Sequence, residues 1–163
     1  MAEVNSVPGS IIGIRLKDSE AIGDPVWLNC QVDATLDLAV ETEEDDACKP
    51  SPETIITDGD IPWSEFTPSK RNWNISFSQK LMRNSLAAAN VDISDLIITG
   101  KVYVEVEFMT TPGQTKSDYD FLYAGTGILT GFTLNAPGTG AATSDSTIQG
   151  TGAITRTVVP VTT

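Results

Sequence analysis

From Val26 to Val40 every even-numbered residue is apolar, while Asn29, Gln31, Asp33, Thr35, Asp37 and Glu41 hold odd positions. Only an extended strand sends successive side chains to opposite faces, so the pattern predicts one long strand, dry on one side and wet on the other. A strand of about 15 residues far exceeds the usual 5 or 6. A small domain seldom needs one unless the strand reaches past the domain's own core.

The rest of the chain repeats the signal in shorter form. Ile12, Ile14 and Leu16 alternate with Gly13, Arg15 and Lys17, and a turn at "IGDP" leads into the long strand. Trp73, Ile75 and Phe77 alternate with asparagine and serine, and Val102, Val104, Val106 and Phe108 alternate with Tyr103, Glu105 and Glu107. Two closing strands, roughly 120–133 and 147–159, flank the turn-rich "NAPGTGAATSD". One helix is expected in "NSLAAANVDISDLIITG", capped by Asn90, Asp92 or Ser94 and ended by Gly100. The predicted fold is mainly β, a β-sandwich or barrel with one short α-helix covering an end. Gly125, Gly127 and Gly131 share one strand face, and Gly150 and Gly152 another. Glycine weakens a strand interior, so its repeated use points to barrel curvature or to the close approach of another backbone.

At 163 residues the chain suits a single domain, 1–163. Its formal charge is −12, from 22 acids and 10 bases, with no histidine. Such a surface repels phosphates, which argues against reading nucleic acid but allows passing close to it. No run approaches the roughly 18 apolar residues of a membrane span, and "MAEVNSVPGS" lacks the basic start and apolar stretch of a signal peptide. Assembly in the cytosol is therefore expected, with Cys30 and Cys48 as free thiols.

Charge is uneven. Residues 41–65 hold nine acids (Glu41, Glu43, Glu44, Asp45, Asp46, Glu53, Asp58, Asp60, Glu65) against Lys49 alone, whereas Lys70, Arg71, Lys80 and Arg83 stand in a stretch without acids. A connection this long usually has a function or is disordered, and Ile55, Ile56, Ile61, Pro62 and Trp63 exceed what a merely solvating loop needs. Chemistry is hard to build from these parts. Without histidine the commonest general base and the Ser-His and Cys-His arrangements are missing. The cysteines form no C-x-x-C pair, no phosphate-binding G-x-x-x-x-G-K-[ST] occurs, and "EEDD" or "TDGD" match no EF-hand. Neither catalysis, a cofactor nor a metal is expected.

The order of features resembles the tail tube (major tail) proteins of long-tailed bacteriophages. The resemblance rests on the long amphipathic strand, the acidic loop entered through "ACKPSPE", then "SKRNWNISFSQKL", a short helix, "KVYVEVEF", and above all the ending "YAGTGILTGFTLNAPGTGAATSDSTIQGTGAIT". It covers nearly the whole chain. It implies a β-sandwich subunit forming homohexameric rings that stack head to tail into a hollow virion tube, with tape measure, tail tip and tail terminator proteins as partners and DNA passing through without specific binding. On that reading Asn29, Gln31, Asp33, Thr35, Asp37, Glu41, Glu105 and Glu107 are candidates for the channel lining, with Tyr103 beside them. Glu43, Glu44, Asp45, Asp46, Ile55, Ile56, Ile61, Trp63, Lys70, Arg71, Lys80 and Arg83 are candidates for ring stacking, the acids and bases setting register more than affinity. Residues 1–10 and 158–163 are expected as flexible arms.

Two other readings compete. One is the tube protein of a related injection machine, a type VI secretion system or a gene transfer agent. The other is a monomeric carbohydrate-binding β-sandwich using Trp27, Trp63 and Trp73 as stacking platforms.

Overall fold

The structure is a computed structural model that describes residues 12–28, 31–44, 66–81, 92–110 and 121–158. Its elements run β1 (Ile12–Asp18), β2 (Val26–Trp27), β3 (Gln31–Glu44), β4 (Phe66–Lys80), α1 (Ile93–Ile98), β5 (Tyr103–Thr110), β6 (Phe121–Asn135) and β7 (Thr143–Val158). The strands form one seven-stranded sheet in the order β2-β1-β5-β6-β7-β4-β3, and each pair whose register is defined is antiparallel. The mainly β fold with one short helix is thus the one the alternation predicts.

The long opening strand, however, is two strands. Val26 and Trp27 pair with β1, and Leu28 continues there by donating to the Ile14 carbonyl at 3.0 Å. From Gln31 the chain belongs to β3, at the opposite end of the strand order. Gln31 links the two ends: its amide oxygen accepts from Ile14 N–H at 3.0 Å and its amide nitrogen donates to Ile12 O at 3.5 Å. A side chain thereby satisfies backbone groups of β1 that β2 is too short to reach.

The chain divides into two compact units, Met1–Asp37 with Trp73–Thr163, and Leu38–Asn72. Among the described residues the second unit comprises the end of β3 and the start of β4. The larger unit holds the core. Ile14 and Leu16 of β1, Trp73, Ile75 and Phe77 of β4, Val104 and Val106 of β5, Leu129 of β6 and Ile148 of β7 are buried together, with Ile93 and Leu96 of α1 packed on them. Each fully buried aliphatic contributes about 1.5–3 kcal/mol against leaving it in water.

Helix α1 starts where the sequence allows. Asp92 is the N-cap, accepting from Asp95 N–H at 3.2 Å, and Gly100 follows the helix with φ +77°, a left-handed conformation that glycine adopts without strain. The Ser94 hydroxyl, 2.6 Å from the Asp92 carboxylate, is the main cause holding that group below the ordinary value of 3.8, with backbone N–H groups assisting and partial burial opposing.

The shared glycine faces turn out to be the seat of a tryptophan. A Cβ at Gly150 would stand 2.2 Å from Trp73 Cε2, one at Gly125 2.7 Å from Trp73 Cζ2, and one at Gly127 2.4 Å from Ile148 Cγ2. At Gly125 and Gly150 the space serves packing of Trp73, and at Gly127 a Cβ would also stand 2.9 Å from the Gln149 backbone oxygen of the neighbouring strand. The indole N–H donates to Gly152 O at 3.1 Å. Gly152, at φ +78°, lies in a bulge where Ala124 pairs with Thr155 but Thr126 with Thr151. Threonine hydroxyls repair the interrupted ladder, Thr151 donating to Thr126 O and Thr155 to Ala124 O, each at 3.1 Å.

Candidate assembly surfaces

Polar side chains occupy the face of the sheet turned away from the core. On β3, Asp33, Thr35 and Asp37 are exposed, while Ala34 and Leu36 between them pack against the core. The alternation is broken at the start of the strand, where Val32 of the dry row is 52% exposed. On β4 the corresponding positions are Asn74, Ser76, Ser78 and Lys80, paired across to Gln149, Thr147, Asp145 and Thr143 of β7. Asp145 is held from both sides, by the Ser78 hydroxyl and by Asn135 Nδ2, the latter at 2.7 Å.

The same face continues differently on β1 and β5. Arg15 stands opposite Glu107 and Lys17 opposite Glu105 in the strand register, and both form ion pairs, at 3.3 Å and 3.1 Å. Arg15 also lies over the Trp27 ring, 5.7 Å from its centroid. Glu107 is only 7% exposed, so the cation alongside, more than water, surrounds its carboxyl group. As candidates for the channel lining, these two acids would add negative charge to a wall. Each stands beside a cation that offsets its charge. The signal is in the sequence, since two bases alternate on β1 as two acids do on β5, but their register is a tertiary fact.

Gln31, another of the lining candidates, has its amide bonded to the β1 backbone. In the strand order β5 is separated from β3 by β6, β7 and β4, so Glu105 and Glu107 do not adjoin the β3 acids along the hydrogen-bonded sheet. Asp33, Thr35, Asp37 and Glu41 remain exposed on β3. Asn29 lies outside the described residues.

The described residues of the smaller unit are 38–44 of β3 and 66–72 of β4. Asn72 Nδ2 donates to the Glu41 carboxylate at 2.9 Å, and the Ser69 hydroxyl donates to Glu41 O at 3.2 Å. Leu38, Val40 and Phe66 are 56%, 55% and 62% exposed among the described residues. Glu43, Glu44, Lys70 and Arg71 of the stacking set lie exposed in this unit, and Lys80 is exposed at the far end of β4. Asp45, Asp46, Ile55, Ile56, Ile61, Trp63 and Arg83 lie outside the described residues, as do Cys30, Cys48, Asp58 and Asp60.

Among solved structures, the fold is similar to that of a chain in the tail of an empty gene transfer agent particle, obtained by helical refinement with C6 symmetry. The TM-score is 0.67 at 16% identity, covering 94% of this chain and 100% of that one. A chain of the SPP1 tail tube matches at TM-score 0.64 and 9% identity, over 94% of this chain and 80% of that one. A chain of an extracellular contractile injection system, the PVC sheath–tube complex in its extended state, matches at TM-score 0.63 and 10% identity, over 96% and 95%. No protein-family profile and no curated protein matches the chain. The fold is that of the tubes of phage tails, gene transfer agents and contractile injection systems.

Proposed function

We propose that this chain is a structural protein, the repeating subunit of a hollow phage-type tail tube, and that it carries no enzymatic activity. The observation that supports this most is the match in fold over nearly the full chain to tail and tube assemblies, joined to a sequence whose order of motifs resembles the same family. Rings of six are the expected repeat, from that resemblance and from the C6 symmetry of a neighbour's assembly.

In such a tube the exposed β3 face offers the wall. Asp33 and Asp37 with Thr35 between them give an anionic, hydrated surface, and like charge would let DNA pass without being held. Glu105 and Glu107 remain candidates for the wall, with their charge offset by Lys17 and Arg15. The smaller unit, Leu38–Asn72, is the proposed stacking element, since a head-to-tail contact between different surfaces grows an open filament rather than a closed dimer. Tape measure, tip and terminator proteins would bound the tube, and assembly would take place in the host cytoplasm before incorporation into the virion tail.

A tube of a related injection machine fits the same fold; phage-like neighbouring genes would favour the phage reading. The carbohydrate-binding reading is weakened by Trp73, which is 3% exposed, and by Trp27, which lies against Gly13 and Arg15.

Negative-stain electron microscopy of the concentrated protein at several salt strengths tests the proposal. Tubes or stacked rings support it; a protein that stays monomeric throughout and binds glycans overturns it. Deleting Glu43 to Ile61 tests the stacking role separately, which fails if the shortened chain still polymerises normally.

A further inference from the structure

The two ends of the strand order meet at Ile14. That residue is fully buried, and both of its main-chain groups are taken by the stretch that carries the chain from β2 across to β3. Its carbonyl accepts from Leu28 N–H at 3.0 Å, and its N–H donates to the Gln31 amide oxygen at 3.0 Å. Gln31 Nε2 donates in turn to Ile12 O at 3.5 Å. A glutamine side chain ends in an amide like that of the backbone, donor and acceptor together, so here it stands where a further residue of β2 would pair with β1. An N–H as deeply placed as that of Ile14 is costly to leave without an acceptor, which gives this contact a weight that a surface bond lacks.

Among the described residues, little else holds the beginning of β3. Beyond its place beside β4, Ala34 and Leu36 pack on the core while only partly buried. Val32 is 52% exposed, and Asp33, Thr35 and Asp37 are exposed. Among the described residues no strand pairing joins β3 to β1; the Gln31 side chain supplies the bonds between them.

We propose that Gln31 is a positioning residue, a clasp that closes the sheet end to end and holds the first half of β3 at a fixed place against β1. The inference rests on the tube reading for its consequence: β3 offers the wall, so the clasp sets where Asp33, Thr35 and Asp37 stand, and with them the bore.

Two variants separate a clasp from a residue that fills space or faces water. Gln31→Met keeps nearly the same volume and loses both bonds, whereas Gln31→Glu keeps the acceptor for Ile14 N–H and loses the donor to Ile12 O. Circular dichroism should match that of the unchanged protein for both. In hydrogen exchange resolved by residue on the dilute protein, the Ile14 amide and those of residues 32–36 should exchange on the order of tenfold faster in Gln31→Met. In Gln31→Glu residues 32–36 should loosen while the Ile14 amide keeps close to its original rate. Asp33→Asn, on the same strand but outside the clasp, should alter none of these rates. Grown into rings, Gln31→Met should give diameters more scattered than those of the unchanged protein. Unaltered exchange at Ile14 and over 32–36 in Gln31→Met overturns the clasp, as do rings as uniform as those of the unchanged protein. Should Gln31→Met fail to fold, Gln31→Glu carries the test alone, and unaltered exchange over 32–36 overturns the clasp. Unaltered exchange together with hollow polymers sinks the clasp and leaves the tube reading standing. Faster exchange, with an unchanged protein whose polymers lack a lumen, sustains the clasp and sinks the tube reading.

Discussion

The indole of Trp73 occupies the space in which a side chain at Gly150 would stand: a Cβ there would lie 2.2 Å from Trp73 Cε2 and 2.5 Å from its Nε1. A buried ring held by Gly125 on one side and by its bond to Gly152 O on another has nowhere to retreat. Gly150→Ala should therefore cost about 1–3 kcal/mol, the usual range for overpacking, and Trp73→Ala about 3–5 kcal/mol. The two changes share one space, so the double variant should be more stable than the sum of the singles implies. Urea unfolding followed by circular dichroism measures all three.

Glycines outside this seat should behave differently from one another. A methyl group at Gly131 would meet nothing within 4 Å, and its φ is not left-handed, whereas Gly152 has φ +78°. Gly131→Ala should be tolerated. Gly152→Ala should cost about 1–2 kcal/mol through backbone strain alone, read as a lowered urea midpoint at unchanged slope.

The two cross-strand ion pairs should be unequal. Glu107→Ala leaves Arg15 in a site where the arginine side chain is 14% exposed, and about 3 kcal/mol should be lost, as when one partner of a buried pair is removed. Lys17→Ala frees Glu105, whose side chain is 44% exposed, and should cost under about 1 kcal/mol. Thermal melts at low and high salt distinguish them, with the Lys17 effect the more salt-dependent.

Ser146 offers the opposite case. Its hydroxyl is buried with no hydrogen-bond partner among the described residues, and the residue is 3% exposed, opposite Phe77 and Phe132 in the register. Removing an unsatisfied buried polar atom relieves its desolvation cost. Ser146→Ala should leave the melting temperature unchanged or raise it, and a clear fall would show that the hydroxyl has a partner in solution.

Asp92 sets a pH dependence. Its carboxyl is held below 3.8 chiefly by the Ser94 hydroxyl, so its contribution is fully present above the unfolded value of about 4 and is lost as pH falls through the folded one. Asp92→Ala should cost about 1 kcal/mol at neutral pH, as for loss of an N-cap. The difference between the variant and the unchanged protein should shrink in melts run below about pH 4.

What the sequence makes legible is local. Strand alternation identifies the core rows at Ile14 and Leu16, Trp73 to Phe77 and Val104 to Phe108, because a period of two needs no partner to be read. Asp92 and Gly100 mark the ends of α1 through their own backbone chemistry. The rest depends on long-range register. Nothing in "VWLNCQVDATL" says that it pairs with β1 at one end and with β4 from Gln31 onward. The pairing of Arg15 with Glu107, 92 residues apart, is equally invisible before β1 and β5 are aligned. The glycine faces are visible, but what fills them is not, since Trp73 reaches them from another strand.

The measurement that bears most directly on the account is end-on imaging by cryo-electron microscopy of polymers grown from the purified chain. The account predicts rings with an open centre that stack at a regular axial repeat in side view. Rods with a filled centre, or single copies only across the full range of concentration and salt, would contradict it.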